Sequence, residues 1–316
     1  MNVLSLFDGM SCGQIALDQL GIEVKNYFAA EIDKYAIKVA QANYPDTIHL
    51  GDVRHVQTSG DHLIDDFECG HKIDLLIGGS PCQGFSFAGK QLNFDDPRSK
   101  LFFEYVRLLK ALKPKYFLLE NVRMKKESMD VITEMLGVEP VAINSNLVSA
   151  QNRHRLYWTN IPMDGIPDDR GIVLSDILED GHTDRDKSHC IDANYFKGGN
   201  LKSYFEKHRR QLVFSLASAG GNSEPKILQK GRGWNKGGLK VIDGKTPTLS
   251  TSSWQHNNHL TYDEGMTYRK LTPLECERLQ TVPEGYTAHV SNTQRYRMLG
   301  NGWTVDVIKH IMKGMI

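Results

Sequence analysis

Cysteine is scarce in this sequence: five residues in 316, an odd number with no CxxC pair. That argues against a disulfide framework and against a cysteine-based zinc site. Long hydrophobic runs are missing as well. No apolar stretch approaches the roughly 18 residues needed to span a bilayer. The opening MNVLSLFDGMSCG has too short an apolar run, unflanked by basic residues, for a secretory signal, and reads as a first buried strand. Net charge is absent too, since 38 Lys and Arg balance 38 Asp and Glu; a uniformly basic nucleic-acid scaffold is excluded. What is present is ordinary for a globular chain: 40% hydrophobic and 24% charged residues. At about 150 residues per domain, two domains or one large domain with an insertion are expected. A cytoplasmic protein with reduced thiols is the simplest expectation.

The zero net charge hides an asymmetry. Residues 181–245 carry 13 Lys and Arg against 6 Asp and Glu, so the rest of the chain is acidic. Such a segment suits either a polyanion-binding surface or a solvated basic loop. The first 160 residues alternate apolar runs with helical patterns. Val3–Phe7, Tyr27–Ile32, Asp74–Gly79, Tyr116–Asn121 and Arg155–Asn160 are predicted strands. In SKLFFEYVRLLKAL, Leu101, Phe102, Tyr105, Leu108, Leu109 and Leu112 recur at helical spacing. This predicts an α/β fold, a doubly wound, mostly parallel sheet with helices on both faces. Ligands of such sheets sit beyond the carboxyl ends of the strands. After about residue 165 the periodicity is lost in a Gly-, Asn-, Ser- and Lys-rich stretch with scattered aromatics, which predicts a small, loop-rich second domain. Helical order returns with LTPLECERLQ, and the amphipathic tail WTVDVIKHIMKGMI is expected to pack back on the first domain.

Chemistry should therefore lie at the strand ends. The first strand runs into Phe7-Asp8-Gly9-Met10-Ser11-Cys12-Gly13, where two glycines let a ligand approach the backbone. Glu31 follows about 20 residues later, where a ribose diol would be held; Asp52, in Gly51-Asp52-Val53-Arg54, is placed to meet an adenine amino group. Each acid also reads as a helix cap or a surface charge. In GGSPCQGFS, Cys82 stands in a glycine-flanked loop outside any apolar stripe, which favours a nucleophile over an inert core thiol. The strand YFLLE ends in Glu120, beside that loop in a doubly wound sheet. Gln151-Asn152-Arg153-His154-Arg155 then places two guanidinium groups on one face of an extended segment, suited to oxygen recognition.

The ordered set FDGMSCG, GGSPCQGFS, ENV, QNRHR, RKLTPLECERLQTVP and RMLGNGWTVDV resembles the DNA cytosine-5 methyltransferase family. The match covers residues 1–160 and about 267–316; the interval falls where that family carries its variable target-recognition domain. Ser80-Pro81 replaces the two prolines of most bacterial members, and with Phe7-Asp8-Gly9 and Trp303 it looks more like the animal de novo branch. The resemblance implies a Rossmann-like S-adenosylmethionine-dependent domain over 1–165 plus 290–316 and a target-recognition domain over 166–289. It implies S-adenosyl-L-methionine held by Phe7, Asp8, Gly9, Cys12, Gly13, Glu31, Asp52, Val53, Asn301 and Trp303, with S-adenosyl-L-homocysteine as product. Cys82 would be the nucleophile, Glu120 the group at cytosine N3, and Arg153 and Arg155 would orient the base. Gln83 and Ser86 are expected to face DNA.

The implied partner is double-stranded DNA with its cytosine flipped out of the stack, with a restriction endonuclease as a further possible partner. No metal or membrane is implied, and a monomer is expected. Within the basic segment, Lys236 suits a phosphate contact and Arg232, between two glycines, a guanine edge. A tRNA-modifying relative would typically carry a Cys-Phe-Thr tripeptide, which is absent. A silent relative would usually lack the cysteine or the glutamate. An oxidoreductase would carry G-x-G-x-x-G where this chain has GMSCG.

Overall fold

A computed structural model describes residues 1–65, 70–80, 97–199, 201–216, 225–229, 238–241, 258–262 and 266–316. Its first half is a βα alternation: β1 (Asn2–Leu6), α1 (Cys12–Gln19), β2 (Asn26–Ala30), α2 (Lys34–Asn43) and β3 (Ile48–His49). A short meander follows, β4 (Gln57–Ser59), β5 (His62–Ile64) and β6 (Gly70–Lys72), before β7 (Leu75–Gly78) returns to the main sheet. Then come α3 (Pro97–Leu112), β8 (Tyr116–Val122), α4 (Lys126–Leu136), β9 (Val141–Asn144) and β10 (His154–Thr159). The seven-stranded sheet has the order β3-β2-β1-β7-β8-β10-β9. Only β10 runs against its neighbours β8 and β9. The mostly parallel sheet expected from the alternation is what forms.

Central strands of a parallel sheet are buried on both faces, so they read as unbroken apolar runs. In β1, Val3 joins the core on the side of α1, and Leu4 and Leu6 join the core on the other side. That second core receives Phe102, Tyr105, Leu108 and Leu112 of α3, the stripe predicted by its spacing, with Leu101 and Leu109 packed at its margin. The first receives Ile15 and Leu17 of α1 and the tail helix α9 (Val305–Met312), whose Val305, Ile308, Ile311 and Met312 are fully buried. The tail does pack back on the first domain. Gly314 permits its last approach, because a Cβ there would fall 1.7 Å from the Pro162 carbonyl oxygen.

The aperiodic interval is more ordered than its composition suggests. Among its described residues it holds α5 (Leu174–Ile177), α6 (Leu201–Lys207) and five strands: β11 (Leu212–Leu216), β12 (Pro225–Gln229), β13 (Gly238–Val241), β14 (Asn258–Tyr262) and β15 (Met266–Lys270). β11 pairs with β15, and β13, β12 and β14 form a second antiparallel sheet. A small core of its own gathers Tyr204, Leu212 and Phe214. The chain then enters α7 (Pro273–Leu279) through a capping box, with Thr272 and Glu275 satisfying each other's backbone N–H and Pro273 at the first turn. α8 (Asn292–Asn301) precedes the tail. Leu271, Cys276, Leu279, Val282 and Tyr286 share the core of α1 and α9. α7 and the turn after it therefore pack on the same core as α1 and α9. Among the described residues no helix is long and apolar enough to cross a membrane.

Candidate active site

β1 and β2 lie to one side of the strand-order reversal, β7 and β8 to the other, and a cavity of about 650 Å³ opens beyond their carboxyl ends. Its size is that of a small-molecule site. Phe7, Asp8, Gly9, Cys12, Glu31, Asp52 and Val53 line it from the first side; Gly79, Ser80, Glu120, Arg153 and Arg155 line it from the second. Asn301, Gly302 and Trp303 complete the wall. Of the expected cofactor residues, Gly13 alone is not in the lining. It sits at the start of α1, where a Cβ would meet Ile77 Cδ1 at 2.2 Å.

The β1–β2 side is made of tight backbone. Phe7, Gly9 and Ser11 all have left-handed φ values, of 57°, 60° and 63°, so the chain curls as it leaves β1. The Gly9 N–H donates to Glu31 Oε2 (2.8 Å), and the Ile32 and Asp33 N–H groups donate to Oε1 (2.7 and 2.8 Å). Glu31 is thereby fixed at the cavity edge. Asp8 accepts from Tyr27 Oη (2.8 Å) and from the Ser11 hydroxyl. Burial pushes its carboxyl up to about 6, against the hydrogen bonds that favour the charge. Asp52 takes the Arg54 backbone N–H (3.0 Å) and its guanidinium. Those hydrogen bonds hold its carboxyl down at about 2. Ile32 stands 73% exposed beside Glu31, an apolar group at the rim that none of the described residues covers. Carboxylates, curled backbone and an uncovered apolar rim fit a ligand combining a ribose, an apolar ring and a cationic group. Cys12 is buried, and burial pushes its thiol up to about 12, so its place in the wall is that of a neutral packing group.

The β7–β8 side is made of side chains. Glu120, only 8% exposed at the end of β8, pairs its Oε1 with Arg155 Nε at 2.8 Å. Its Oε2 accepts the Trp303 indole N–H at 3.2 Å. Asn121 donates to the carbonyl and hydroxyl oxygens of Ser80 (3.4 and 3.3 Å), tying the end of β7 to β8. Arg153 has a different setting. It precedes β10 and is 2% exposed. Its Nη1 and Nη2 donate to the carbonyls of Ile191, Gly300 and Gly302 and to Cys190 Sγ. These contacts brace the 300–302 backbone, while Arg153 Nε is buried at the cavity with no hydrogen-bond partner among the described residues; the ion pair to Glu120 is made by Arg155. Pro81, Cys82, Gln83 and Ser86, and Arg232 and Lys236 of the basic segment, lie outside the described residues.

The family model for C-5 cytosine-specific DNA methylase matches residues 1–316. The chain belongs to this family. It resembles the type II methyltransferase M1.ScrFI of Lactococcus lactis subsp. cremoris, with 31% identity across 99% of this chain and 77% of the relative. Identity to the type II methyltransferase M.NlaX of Neisseria lactamica is 28%, across 99% of this chain and 95% of that one. The solved Entamoeba histolytica methyltransferase EhMeth shares the fold, with a TM-score of 0.65 at 16% identity over 100% of this chain and 97% of its own. A C-5 cytosine-specific DNA methylase transfers a methyl group from S-adenosylmethionine to cytosine C5 in DNA, and the β1–β2 side of the cavity suits that donor.

Several contributors went unmarked in the sequence. Arg297 and Met298 of α8 also line the cavity; they stand in RMLGNGW, of which only the end was assigned. Gln280 was not singled out either. Its Nε2 donates to the Leu299 and Gly302 carbonyls at 2.6 and 3.2 Å. LECERLQ displayed it, but nothing in its spacing said where its amide would go.

Proposed function

We propose that this methylase works through a covalent Cys82–C6 adduct of a flipped-out cytosine in duplex DNA. The observation that supports it is the joining, in one cavity, of a donor-suited backbone half and a buried Glu120–Arg155 pair. Glu31 is the group for the ribose hydroxyls, Asp52 and Val53 for the adenine, and Phe7–Gly13 with Asn301–Trp303 for the remainder. S-adenosylmethionine supplies an electrophilic methyl group. Cytosine C5 is too poor a nucleophile to accept it unaided. Addition of the Cys82 thiolate to C6, with Glu120 hydrogen-bonding or protonating N3, gives C5 enamine character. Arg155 holds Glu120 and is placed for the base oxygen. Loss of the C5 proton and expulsion of Cys82 restore the aromatic base. A cytosine stacked in a duplex has no access to a buried glutamate, so the base is extruded.

Residues 166–289 are the target-recognition part in this reading, with Lys236 on phosphate, Arg232 on a base edge, and Gln83 and Ser86 beside the flipped nucleotide. The type II names of the relatives support a restriction endonuclease as cognate partner. Duplex DNA carrying 5-fluorocytosine tests the mechanism, because fluorine blocks the final elimination. The wild type should be trapped covalently in the presence of S-adenosylmethionine. Cys82→Ala should not be trapped, yet should bind the cofactor with unchanged Kd. Trapping or turnover by Cys82→Ala would discard the assignment. Bisulfite sequencing of DNA from expressing cells reads the target base and its context.

A further inference from the structure

Both oxygens of Glu120 are occupied, by donors from different parts of the chain. Arg155 comes from the adjacent strand, whereas Trp303 arrives from 183 residues further along. A glutamate's last torsion is broad and roughly two-fold, so a single partner leaves the carboxylate plane loosely set; a second donor at the other oxygen fixes it. An indole N–H is donor only. It fixes the acceptor without offering an alternative proton site.

The aim of that indole is built by the surrounding structure. Gly302 O, immediately before Trp303, accepts from Arg153 Nη2 (2.7 Å) and Gln280 Nε2 (3.2 Å). Gln280 also holds Leu299 O (2.6 Å), and its own Oε1 accepts from Thr304 Oγ1 (2.9 Å) and Gln151 Nε2 (2.9 Å). Ser145 Oγ donates to Thr304 Oγ1 at 2.9 Å from the other side. These groups are buried, where a lost partner is costly, so the backbone on both sides of Trp303 is held. Opposite it, Gly79 leaves the room: a Cβ there would lie 3.0 Å from the indole Nε1 and 3.2 Å from Glu120 Oε2.

We propose that Trp303 is a positioning residue for Glu120, setting the carboxylate plane through its indole N–H, with Gln280 and Arg153 as the clamp that aims it. The proposal rests on Glu120 acting at cytosine N3. Trp303→Phe removes the N–H and keeps an aromatic ring. Measured at saturating S-adenosylmethionine, so that any contact of Trp303 with the cofactor drops out, it should lower the single-turnover methylation rate about tenfold, as expected for a hydrogen bond to a charged group. In a Glu120→Ala background the same change should alter the residual rate by less than about twofold, because a residue acting through Glu120 has nothing left to act on. A readout without turnover is the Trp303 indole N–H resonance in ¹⁵N-labelled protein, identified by its loss in Trp303→Phe. It should move in Glu120→Ala.

Equal losses from Trp303→Phe in both backgrounds, or a resonance unmoved by Glu120→Ala, overturn the proposal and leave the role of Glu120 standing. A wild-type rate in Glu120→Ala alone removes the glutamate from the chemistry, and the proposal with it, before Trp303 is touched. Should Trp303→Phe lose its fold, the resonance in Glu120→Ala, matched to the one indole signal missing from Trp303→His, decides alone.

Discussion

On the β1–β2 side of the cavity, Glu31 takes N–H groups from Gly9, Ile32 and Asp33, and Asp8 is held within the same strand ends by Ser11 and Tyr27. On the β7–β8 side, Glu120 is held by Arg155 and Trp303, and Trp303 is aimed by Arg153 and Gln280. The first wall is nearly local and made largely of main chain. The second is assembled by side chains from β8, β10, the end of α7 and the segment after α8. A local wall tolerates small repacking, because each hydrogen bond is set by the curl of one loop. An assembled wall transmits any displacement of its supports to the reacting glutamate.

The largest effect that separates the two walls should come from adding one methyl group to a glycine that supports each. At Gly300 a Cβ would sit 2.2 Å from the Asp192 carbonyl carbon and 2.5 Å from Ala193 N. Main chain cannot turn aside, so Gly300→Ala should destabilise the protein by about 1–3 kcal/mol and also lower kcat by displacing the clamp. At Gly13 the 2.2 Å contact is with the Ile77 Cδ1, the far end of a flexible side chain. Gly13→Ala should cost about 1 kcal/mol or less, with kcat close to wild type. Thermal melts and steady-state rates of the pair give the comparison. A Gly13 variant damaged more than the Gly300 variant would reverse it.

The same contrast explains what could be read in advance. Val3–Phe7, Tyr27–Ile32, Asp74–Gly79 and Tyr116–Asn121 each fall within two residues of a strand limit, because central strands write uninterrupted apolar runs into the sequence. Glu31 and Glu120 were visible as charges ending such runs. The reversed direction of β10 was not visible, since a strand's own pattern is the same in either direction. The β4–β6 meander was missed for want of apolar residues: only Leu63 of its strands is fully buried. Arg153 and Arg155 alternate as expected, yet β10 begins at His154, and Arg153 turns instead to carbonyls of a segment about 150 residues away. Long-range partners of this kind leave no periodic trace.

A smaller effect should appear in the pH dependence of the local wall. Burial raises the Asp8 carboxyl to about 6, so it is ionised above that pH and neutral below it. The methyl donor is cationic, and its affinity should fall as the pH drops through 6. One charge interaction of about 1 kcal/mol corresponds to roughly a fivefold change in Kd. The same raised value has an opposite consequence for folding. The contribution of Asp8 to stability is fully present below its unfolded value of 3.8, and is lost as the pH rises through about 6. Asp8→Asn should accordingly flatten the Kd–pH curve between pH 5 and 7.5 and raise the melting temperature at pH 7.5 relative to wild type. Calorimetric titration and melting at the two pH values check both signs; a Kd that stays pH-dependent in Asp8→Asn would place the titrating group elsewhere.

The smallest effect expected in either wall is that of Cys12→Ala. Cys12 lies at the start of α1, lines the cavity and is 4% exposed. It is no second nucleophile, because burial pushes the thiol up to about 12 and a neutral thiol is a poor nucleophile. The sulfur fills space, with Sγ 3.3 Å from where a Gly302 Cβ would be, and it accepts the Trp303 backbone N–H. Its removal leaves a small void that costs about 1 kcal/mol, and the hydrogen bonds of Glu31 and Asp8 are untouched. Cys12→Ala should therefore keep kcat and cofactor Kd within about twofold. In the folded wild type at pH 8, iodoacetamide should leave Cys12 unmodified, as peptide mapping by mass spectrometry would show. Rapid alkylation of Cys12, or a tenfold loss of kcat in Cys12→Ala, would mean that the local wall carries chemistry of its own, and the contrast between a backbone-built donor half and a side-chain-built reacting half would fail.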